Sequence, residues 1–142
     1  MKRKTFIKNT CRICVGSLAG VSIVSLFDSC ASGKILKKDS LNDTVQVLES
    51  EFEEDQEFVI VRTSSLNFDL FLHKNKDNTY QAFLMQCTHY DNPIFANKKE
   101  LFCPSHGSTF DFQGKVNKEP ATRNLKEYKT VKTNTTITIY LK

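Results

Sequence analysis

The most informative part of the sequence is CTHYDN at residues 87–92, followed by CPSHGS at residues 103–108. It holds two pairs of metal-binding side chains, Cys87 with His89 and Cys103 with His106. Two thiolates and two imidazoles suit either one tetrahedral zinc ion or a two-iron cluster with a cysteine pair on one iron and a histidine pair on the other. These alternatives predict different functions, so the surrounding sequence has to decide between them.

The charge distribution excludes one class of partner. Residues 1–29 carry five of the 20 basic residues and one of the 16 acidic residues, which leaves fifteen of each in residues 30–142. A neutral domain with scattered charges has no electrostatic footprint for a polyanion. We therefore expect no nucleic acid among the partners.

The N-terminus is typical of an exported protein. Residues 13–27 form an apolar stretch of 15 residues, which fits a signal peptide and is short for a membrane-spanning helix of about 20 residues. The sequence LFDSC, ending at Cys30, resembles the lipidation site of bacterial lipoproteins, and RKTFIK at residues 3–8 resembles a twin-arginine export signal with lysine in second place. We expect a protein tethered to the membrane on the periplasmic side or in the cell envelope, by a lipid on Cys30 or by an uncleaved anchor.

The domain organisation follows from composition. We expect a signal peptide over residues 1–29, a flexible polar tether over 30–43 and one domain over 44–142. Thr, Val, Ile and Phe are frequent in the last part, which predicts an all-β fold. The predicted strands and hairpins are 44–48, 58–62, 68–73, 80–85, 94–102, 109–112, 115–116, 128–133 and 135–141.

Each ligand pair follows a predicted strand. Residues 80–85 lead directly to Cys87, and the hairpin over 94–102 leads to Cys103. The two ligand loops can therefore converge at one end of a small β unit. His73 ends its strand beside a polar turn, and we expect it to be a surface residue.

These ligand motifs resemble the signature of Rieske iron–sulfur proteins. Cys-x-His paired with Cys-x-x-His in strand-bounded loops is not a usual zinc-finger spacing, and the similarity continues through FD at 110–111 and PA at 120–121. The resemblance covers roughly residues 44–142. It implies an antiparallel β-sandwich or barrel with a small cluster-binding subdomain at about 86–121.

The resemblance also implies the cofactor and its ligands. Cys87 and Cys103 would hold the inner iron of a [2Fe–2S] cluster as thiolates, and His89 and His106 would hold the outer iron as neutral imidazoles. Because imidazoles replace two anionic thiolates, Rieske clusters have potentials of about −150 to +300 mV, against about −400 mV for plant-type ferredoxins. The implied activity is one-electron transfer.

Residues around the ligands refine that expectation. By the resemblance, Ser108 donates a hydrogen bond to a bridging sulfide, and Pro104 and Gly107 shape the second loop. Phe110 stands where high-potential members have a hydrogen-bonding tyrosine. We expect four phenylalanines to be core residues: Phe95, Phe102, Phe110 and Phe112.

Two further positions separate this chain from the Rieske subunits of quinol-oxidising complexes. In those subunits a disulfide ties the two ligand loops from the positions of Asn92 and Ser105, and neither residue is cysteine here. Because the Ser108 donor is present and the tyrosine donor is replaced by Phe110, we expect an intermediate reduction potential.

We expect an electron-transfer component of an oxidoreductase rather than a catalyst by itself. The predicted partner is a redox protein or a quinol-oxidising or oxidase complex, reached from the membrane. One alternative is a ferredoxin-type component of an oxygenase system, which shares the disulfide-free motif. The other is a zinc-stabilised binding lipoprotein.

Overall fold

The computed structural model describes residues 33–142, so the predicted signal peptide and Cys30 lie outside the described residues. In this part of the chain no helix is long and apolar enough to cross a membrane. Residues 33–142 form a short 3-10 helix at Glu49–Glu51 and twelve strands: β1 Ile35–Lys37, β2 Thr44–Leu48, β3 Phe58–Arg62, β4 Leu70–Lys74, β5 Tyr80–Leu84, β6 Phe95–Ala96, β7 Leu101–Phe102, β8 Thr109–Phe110, β9 Val116–Lys118, β10 Glu127–Tyr128, β11 Thr130–Thr133 and β12 Thr136–Tyr140.

The strands form three sheets. The five-stranded sheet has the order β1-β3-β4-β5-β10, the three-stranded sheet β11-β12-β2, and the four-stranded sheet β6-β7-β8-β9. The β1–β3 pair is parallel, and the other pairs are antiparallel. The prediction of an all-β fold is confirmed.

The five-stranded sheet is the central layer, because its side chains alternate between two cores. In β3, Val59 and Val61 join a core shared with β2 and β12 of the three-stranded sheet. Phe58 and Ile60 of the same strand join a second core with residues of the four-stranded sheet. A strand buried on both faces needs a continuous apolar run, and FVIV at 58–61 provides one.

The second core contains both cysteines that are candidate metal ligands. Cys87 and Cys103 lie in it with Phe71, Phe83 and Phe110, which are buried aromatic side chains from the central sheet and from β8. The candidate metal centre is therefore built on the face of the central sheet opposite the three-stranded sheet.

The structure contradicts the expectation for His73. Its side chain is 7% exposed, on the same face of β4 as Phe71, and it packs against the ring of Phe112 with 5.4 Å between centroids. His73 and Phe71 are two residues apart on one strand, so both face the four-stranded side. Burial lowers the pKa of His73, against the opposing effects of Glu57, Asn75 and Asp111.

The predicted tether also differs from the structure. Residues 35–37 form β1, which pairs in parallel with β3 from Ile35↔Ile60 to Lys37↔Arg62. Leu36 is buried in the first core. The β structure thus begins before residue 44, because Ile35–Lys37 takes an edge position on the central sheet and buries Leu36.

The predicted strand 128–133 is two strands in different sheets. Tyr128 of β10 pairs with Ala82 of the central sheet, whereas Thr130 of β11 pairs with Ile139 of the three-stranded sheet. The chain therefore changes layers at Lys129. Residues on both sides of Lys129 are common in strands, so the local sequence YKTVKT does not indicate the change.

Candidate metal centre

Two six-residue loops carry the candidate ligands, and both are closed by the same hydrogen bond. In the first ligand loop, residues 87–92, the Cys87 N–H donates to the Asn92 carbonyl at 2.7 Å. In the second ligand loop, residues 103–108, the Cys103 N–H donates to the Ser108 carbonyl at 2.9 Å. β5 leads to the first loop, and β7 and β8 flank the second. Each loop thus begins with its cysteine, which lies in the buried second core.

The second ligand loop needs glycine for its backbone conformation. Gly107 has φ +80°, in the region that non-glycine residues rarely adopt, and its N–H donates to the Cys103 carbonyl at 3.0 Å. A Cβ added at Gly107 would meet the Lys118 amino group at 4.0 Å, so space is not the constraint. Pro104 is exposed at the start of the same loop.

The structure brings the two cysteines together in the interior. Each is about 1% exposed and free of disulfide bonds. Burial raises the pKa of Cys103, but hydrogen bonds from the backbone N–H of Ser105, the Cys87 thiol, the His106 N–H and the Ser105 hydroxyl outweigh it, and the pKa is lowered overall. The local N–H and O–H groups therefore favour the thiolate, which is the form that binds iron.

The two histidines lie together on the outer side. The rings of His89 and His106 are 5.1 Å apart between centroids and nearly perpendicular, at 86°. His106 is exposed and His89 half-buried. Each loop thus contributes one member to a buried sulfur pair and one to a more exposed imidazole pair.

This donor set fits a two-iron cluster. The Nδ1 atom of His89 is buried and has no hydrogen-bond partner, which is costly for a nitrogen that no ligand binds. No three His, Cys, Asp or Glu side chains of residues 33–142 are grouped as ligands of a single ion. The donors come as two like pairs, and a cluster with two ligands on each iron needs this arrangement.

Comparison with known proteins agrees with the geometry. The profile of the Rieske [2Fe-2S] domain family matches residues 31–129, well over half of the chain. The chain belongs to the Rieske [2Fe-2S] domain family. The family binds a [2Fe–2S] cluster and transfers electrons through it. The family match confirms the predicted cofactor, a [2Fe–2S] cluster.

Solved structures share the fold. The cyanobacterial plasma membrane Rieske protein PetC3 from Synechocystis PCC 6803 is 27% identical, with a TM-score of 0.51 over 58% of this chain and 85% of that one. The ferredoxin of carbazole 1,9a-dioxygenase from Nocardioides aromaticivorans IC177 is 18% identical, with a TM-score of 0.50 over 68% and 94% of the two chains. A complex of oxygenase and ferredoxin in carbazole 1,9a-dioxygenase matches at 17% identity and a TM-score of 0.54, over 71% and 95%. No curated protein matches the chain in sequence.

Ser108 lies beside the Rieske site with its hydroxyl hydrogen free. The side chain is fully buried, and its Oγ accepts a hydrogen bond from the Ala121 N–H at 3.0 Å. A hydroxyl that accepts through a lone pair keeps its own O–H to donate. The geometry is therefore compatible with donation to a sulfide.

The four phenylalanines near the Rieske site have different surroundings. Phe110 is fully buried in the core that holds both cysteines and has no hydroxyl to donate. Phe102 and Phe112 are partly buried. Phe95 is 50% exposed, which contradicts its expected core position, because β6 is the edge strand of its sheet and pairs only with β7.

Three residues near the Rieske ligands were not singled out from the sequence. Tyr90 is 67% exposed, and its ring lies 4.4 Å from the ring of His89 and 5.7 Å from that of His106. Thr88 and Arg123 bond to each other from distant parts of the chain. Adjacency to His89 could have indicated Tyr90, but no local signal indicates the Thr88–Arg123 contact.

Proposed function

We propose that this protein carries single electrons at a membrane surface through a Rieske cluster held by Cys87, His89, Cys103 and His106. The observation that carries the proposal is the sorting of these side chains by type. The two loops pair sulfur with sulfur in the interior and imidazole with imidazole nearer the solvent. When bound, the cluster takes up and releases one electron.

The surroundings of the four side chains support this role. The thiolates are shielded from water, and the hydrogen bonds that lower the pKa of Cys103 hold it ready for iron. The exposed ring of His106 gives a partner protein a short path to the outer ligands. The protein therefore insulates one side of the site and opens the other.

The residues present support an intermediate potential. Two thiolates and two neutral imidazoles leave the oxidised [2Fe–2S] unit without net charge, so reduction makes it anionic. The free O–H of Ser108 and the cationic side chains of Lys118 and Arg123, one near each loop, favour the anionic state. Phe110 contributes no donor, and the exposed cations are screened by solvent.

The membrane attachment and the class of partner rest on the leader sequence. The predicted signal peptide and lipidation at Cys30 support an exported protein tethered to the membrane, and a plasma membrane Rieske protein is 27% identical. We infer that the partner is a redox protein or a quinol-oxidising or oxidase complex at that membrane. The alternative, a ferredoxin serving an oxygenase, is favoured by the absence of cysteines at Asn92 and Ser105.

Spectroscopy of the purified protein tests the cluster and its ligands. We expect two irons and two acid-labile sulfides for each chain, and a rhombic EPR signal of low average g after reduction. His106→Cys should keep a cluster and lower its midpoint potential, because an anionic thiolate replaces a neutral ligand. Stoichiometric zinc in place of iron, with no such EPR signal, would establish the zinc-stabilised alternative instead.

Metabolic labelling tests the tether. Labelled fatty acid should enter the wild type and not Cys30→Ala, and the labelled protein should sediment with membranes. An unlabelled protein that still sediments supports the uncleaved anchor, whereas an unlabelled protein in the soluble fraction contradicts the proposed tether. A soluble protein reduced by an oxygenase reductase would support the ferredoxin alternative.

A further inference from the structure

The two ligand loops of the Rieske site need something besides their ligands to fix their separation. Between the loops, the ring of His106 lies 5.1 Å from the ring of His89 and 5.7 Å from the ring of Tyr90, measured between centroids. Both contacts depend on His106, whose ring would bind iron. Cys87 and Cys103, the cysteines of residues 33–142, are both free, so no disulfide in this part of the chain joins the loops.

A third segment contacts both loops. The Thr88 hydroxyl of the first loop donates to the Arg123 carbonyl at 2.5 Å, and the Arg123 guanidinium donates back to the Thr88 carbonyl at 3.2 Å. Two residues earlier, the Ala121 N–H donates to the Ser108 hydroxyl of the second loop at 3.0 Å. Residues 121–123 are therefore hydrogen-bonded to the second loop through Ala121 and to the first loop through Arg123. We call these three residues the bridging segment.

The bridging segment is itself held in place. On its C-terminal side the Leu125 N–H donates to the Gly114 carbonyl at 2.8 Å, and the Lys126 carbonyl accepts from the Leu84 N–H at 2.9 Å. Leu84 ends the strand that leads to the first loop, and Gly114 lies in the turn after β8. Ala121 and Leu125 are also buried in the second core. A segment fixed in this way can transmit restraint between two loops.

We propose that the bridging segment is a non-covalent cross-link between the ligand loops, with Thr88 and Arg123 as its positioning residues. It fixes how far Cys87 and His89 lie from Cys103 and His106, the restraint that a disulfide would otherwise supply. The proposal rests on the proposed function, because it takes these four side chains to be the ligands. It predicts that loss of the Thr88–Arg123 contact loosens the site without unfolding the domain.

The experiment uses three threonine variants of the full chain loaded with its cluster. Thr88→Val removes the hydroxyl and keeps the shape, and Thr88→Ser restores the donor. Thr44→Val is the matched control, because the Thr44 hydroxyl also donates to a backbone carbonyl, that of Leu41 at 2.7 Å, on the far side of the central sheet. Thr44 belongs to β2 of the three-stranded sheet.

Cluster release to a chelator is the first measurement. One hydrogen bond changes an opening equilibrium by roughly 2- to 10-fold, so Thr88→Val should lose its cluster faster by that factor. Thr88→Ser and Thr44→Val should lose it at the wild-type rate. The reduced EPR signal is the second measurement: it should broaden in Thr88→Val alone, because a loosely held loop samples several ligand geometries.

Arg123→Met provides an independent variant that keeps an unbranched apolar stem and removes the guanidinium donors. It should accelerate cluster release in the same direction as Thr88→Val. If Thr88→Val does not fold, Arg123→Met decides the outcome. Wild-type release rates and EPR line widths in the folded variants would overturn the cross-link while leaving the Rieske assignment intact. A wild type without a [2Fe–2S] signal would instead overturn the proposed function.

Discussion

The two faces of the central sheet pack against partners of different construction. On one face, β2 and β12 are each five residues long and pair in continuous register from Thr44↔Tyr140 to Leu48↔Thr136. On the other face, β6, β7 and β8 are each two residues long; the first ligand loop precedes β6, and the second connects β7 to β8. One face is a regular sandwich, and the other is a site held by short strands and individual hydrogen bonds.

The buried side chains show the same difference. The first core consists of aliphatic residues with two tyrosines and one alanine, whereas the second core mixes large aromatic rings with both cysteines. Burial of apolar area stabilises the first core whether or not a cofactor binds. The second core surrounds the two thiols that we propose as iron ligands, and on that proposal cluster binding adds to its folding free energy. The comparison indicates that stability and function are separated onto opposite faces of one sheet.

The largest expected effect comes from removing one sulfur ligand. Cys103→Ser should lose the cluster completely, measured as iron content and EPR amplitude, because a serine hydroxyl is not ionised near pH 7. Hydrogen exchange should become faster in β6 to β9 and stay slow in β2 and β12, because those strands belong to the face that does not depend on the metal. Equal loss of protection on both faces would contradict the separation.

A cavity in the first core should have the opposite signature. Leu72 is fully buried there, so Leu72→Ala should lower the free energy of unfolding by about 2–5 kcal/mol, measured by urea denaturation of the loaded protein. The EPR spectrum and midpoint potential should stay at their wild-type values. A shifted potential would show that the two faces are coupled through the central sheet.

A smaller effect is expected from the two positive-φ glycines of the site face. Gly114 has φ +72°, and an added Cβ would lie 2.7 Å from the ring of Phe83 in the central sheet. Gly114→Ala should therefore cost about 2–4 kcal/mol, from backbone strain and overpacking together. Gly107→Ala introduces the backbone strain but no close contact, so it should lower the free energy of unfolding by about 1–2 kcal/mol. Equal costs in thermal unfolding would rule out the contact with Phe83 as the cause.

The smallest effect concerns pH. The folded protein lowers the pKa of His73 below its unfolded value of about 6.5, mainly by burial, so the unfolded state binds the proton more readily. Stability from neutral His73 is present above pH 6.5 and decreases as the pH falls toward the lower folded value. His73→Gln should remove this part of the pH dependence, measured as the difference between wild-type and variant unfolding midpoints from pH 8 to pH 5. A constant difference over that range would contradict a lowered pKa.

Some elements of the structure could be predicted because their signals are local. Thr44–Leu48 and Phe58–Arg62 have the predicted bounds, since alternation and apolar runs are properties of adjacent residues. The four candidate ligands stand in two short motifs, and the strands before them place both loops on one face. Their spacing also carries the resemblance to the family that matches residues 31–129.

Other features depend on partners distant in the chain. Three such features are the pairing of β1 with β3, the division of residues 128–133 between two sheets, and the burial of His73. Each depends on which sheet covers which face of the central sheet. Thr88 and Arg123 meet across 35 residues of sequence, and neither residue has a local pattern that predicts the contact.

The all-β class, the two Cys/His motifs and the family could be predicted from the sequence, because the periodicity of strands and the spacing of candidate metal ligands are properties of neighbouring residues. The pairing of thiol with thiol and of imidazole with imidazole depends on the tertiary structure. It buries the two thiols together and leaves the two imidazoles nearer the solvent, because two loops from different strands meet on one face of a shared sheet.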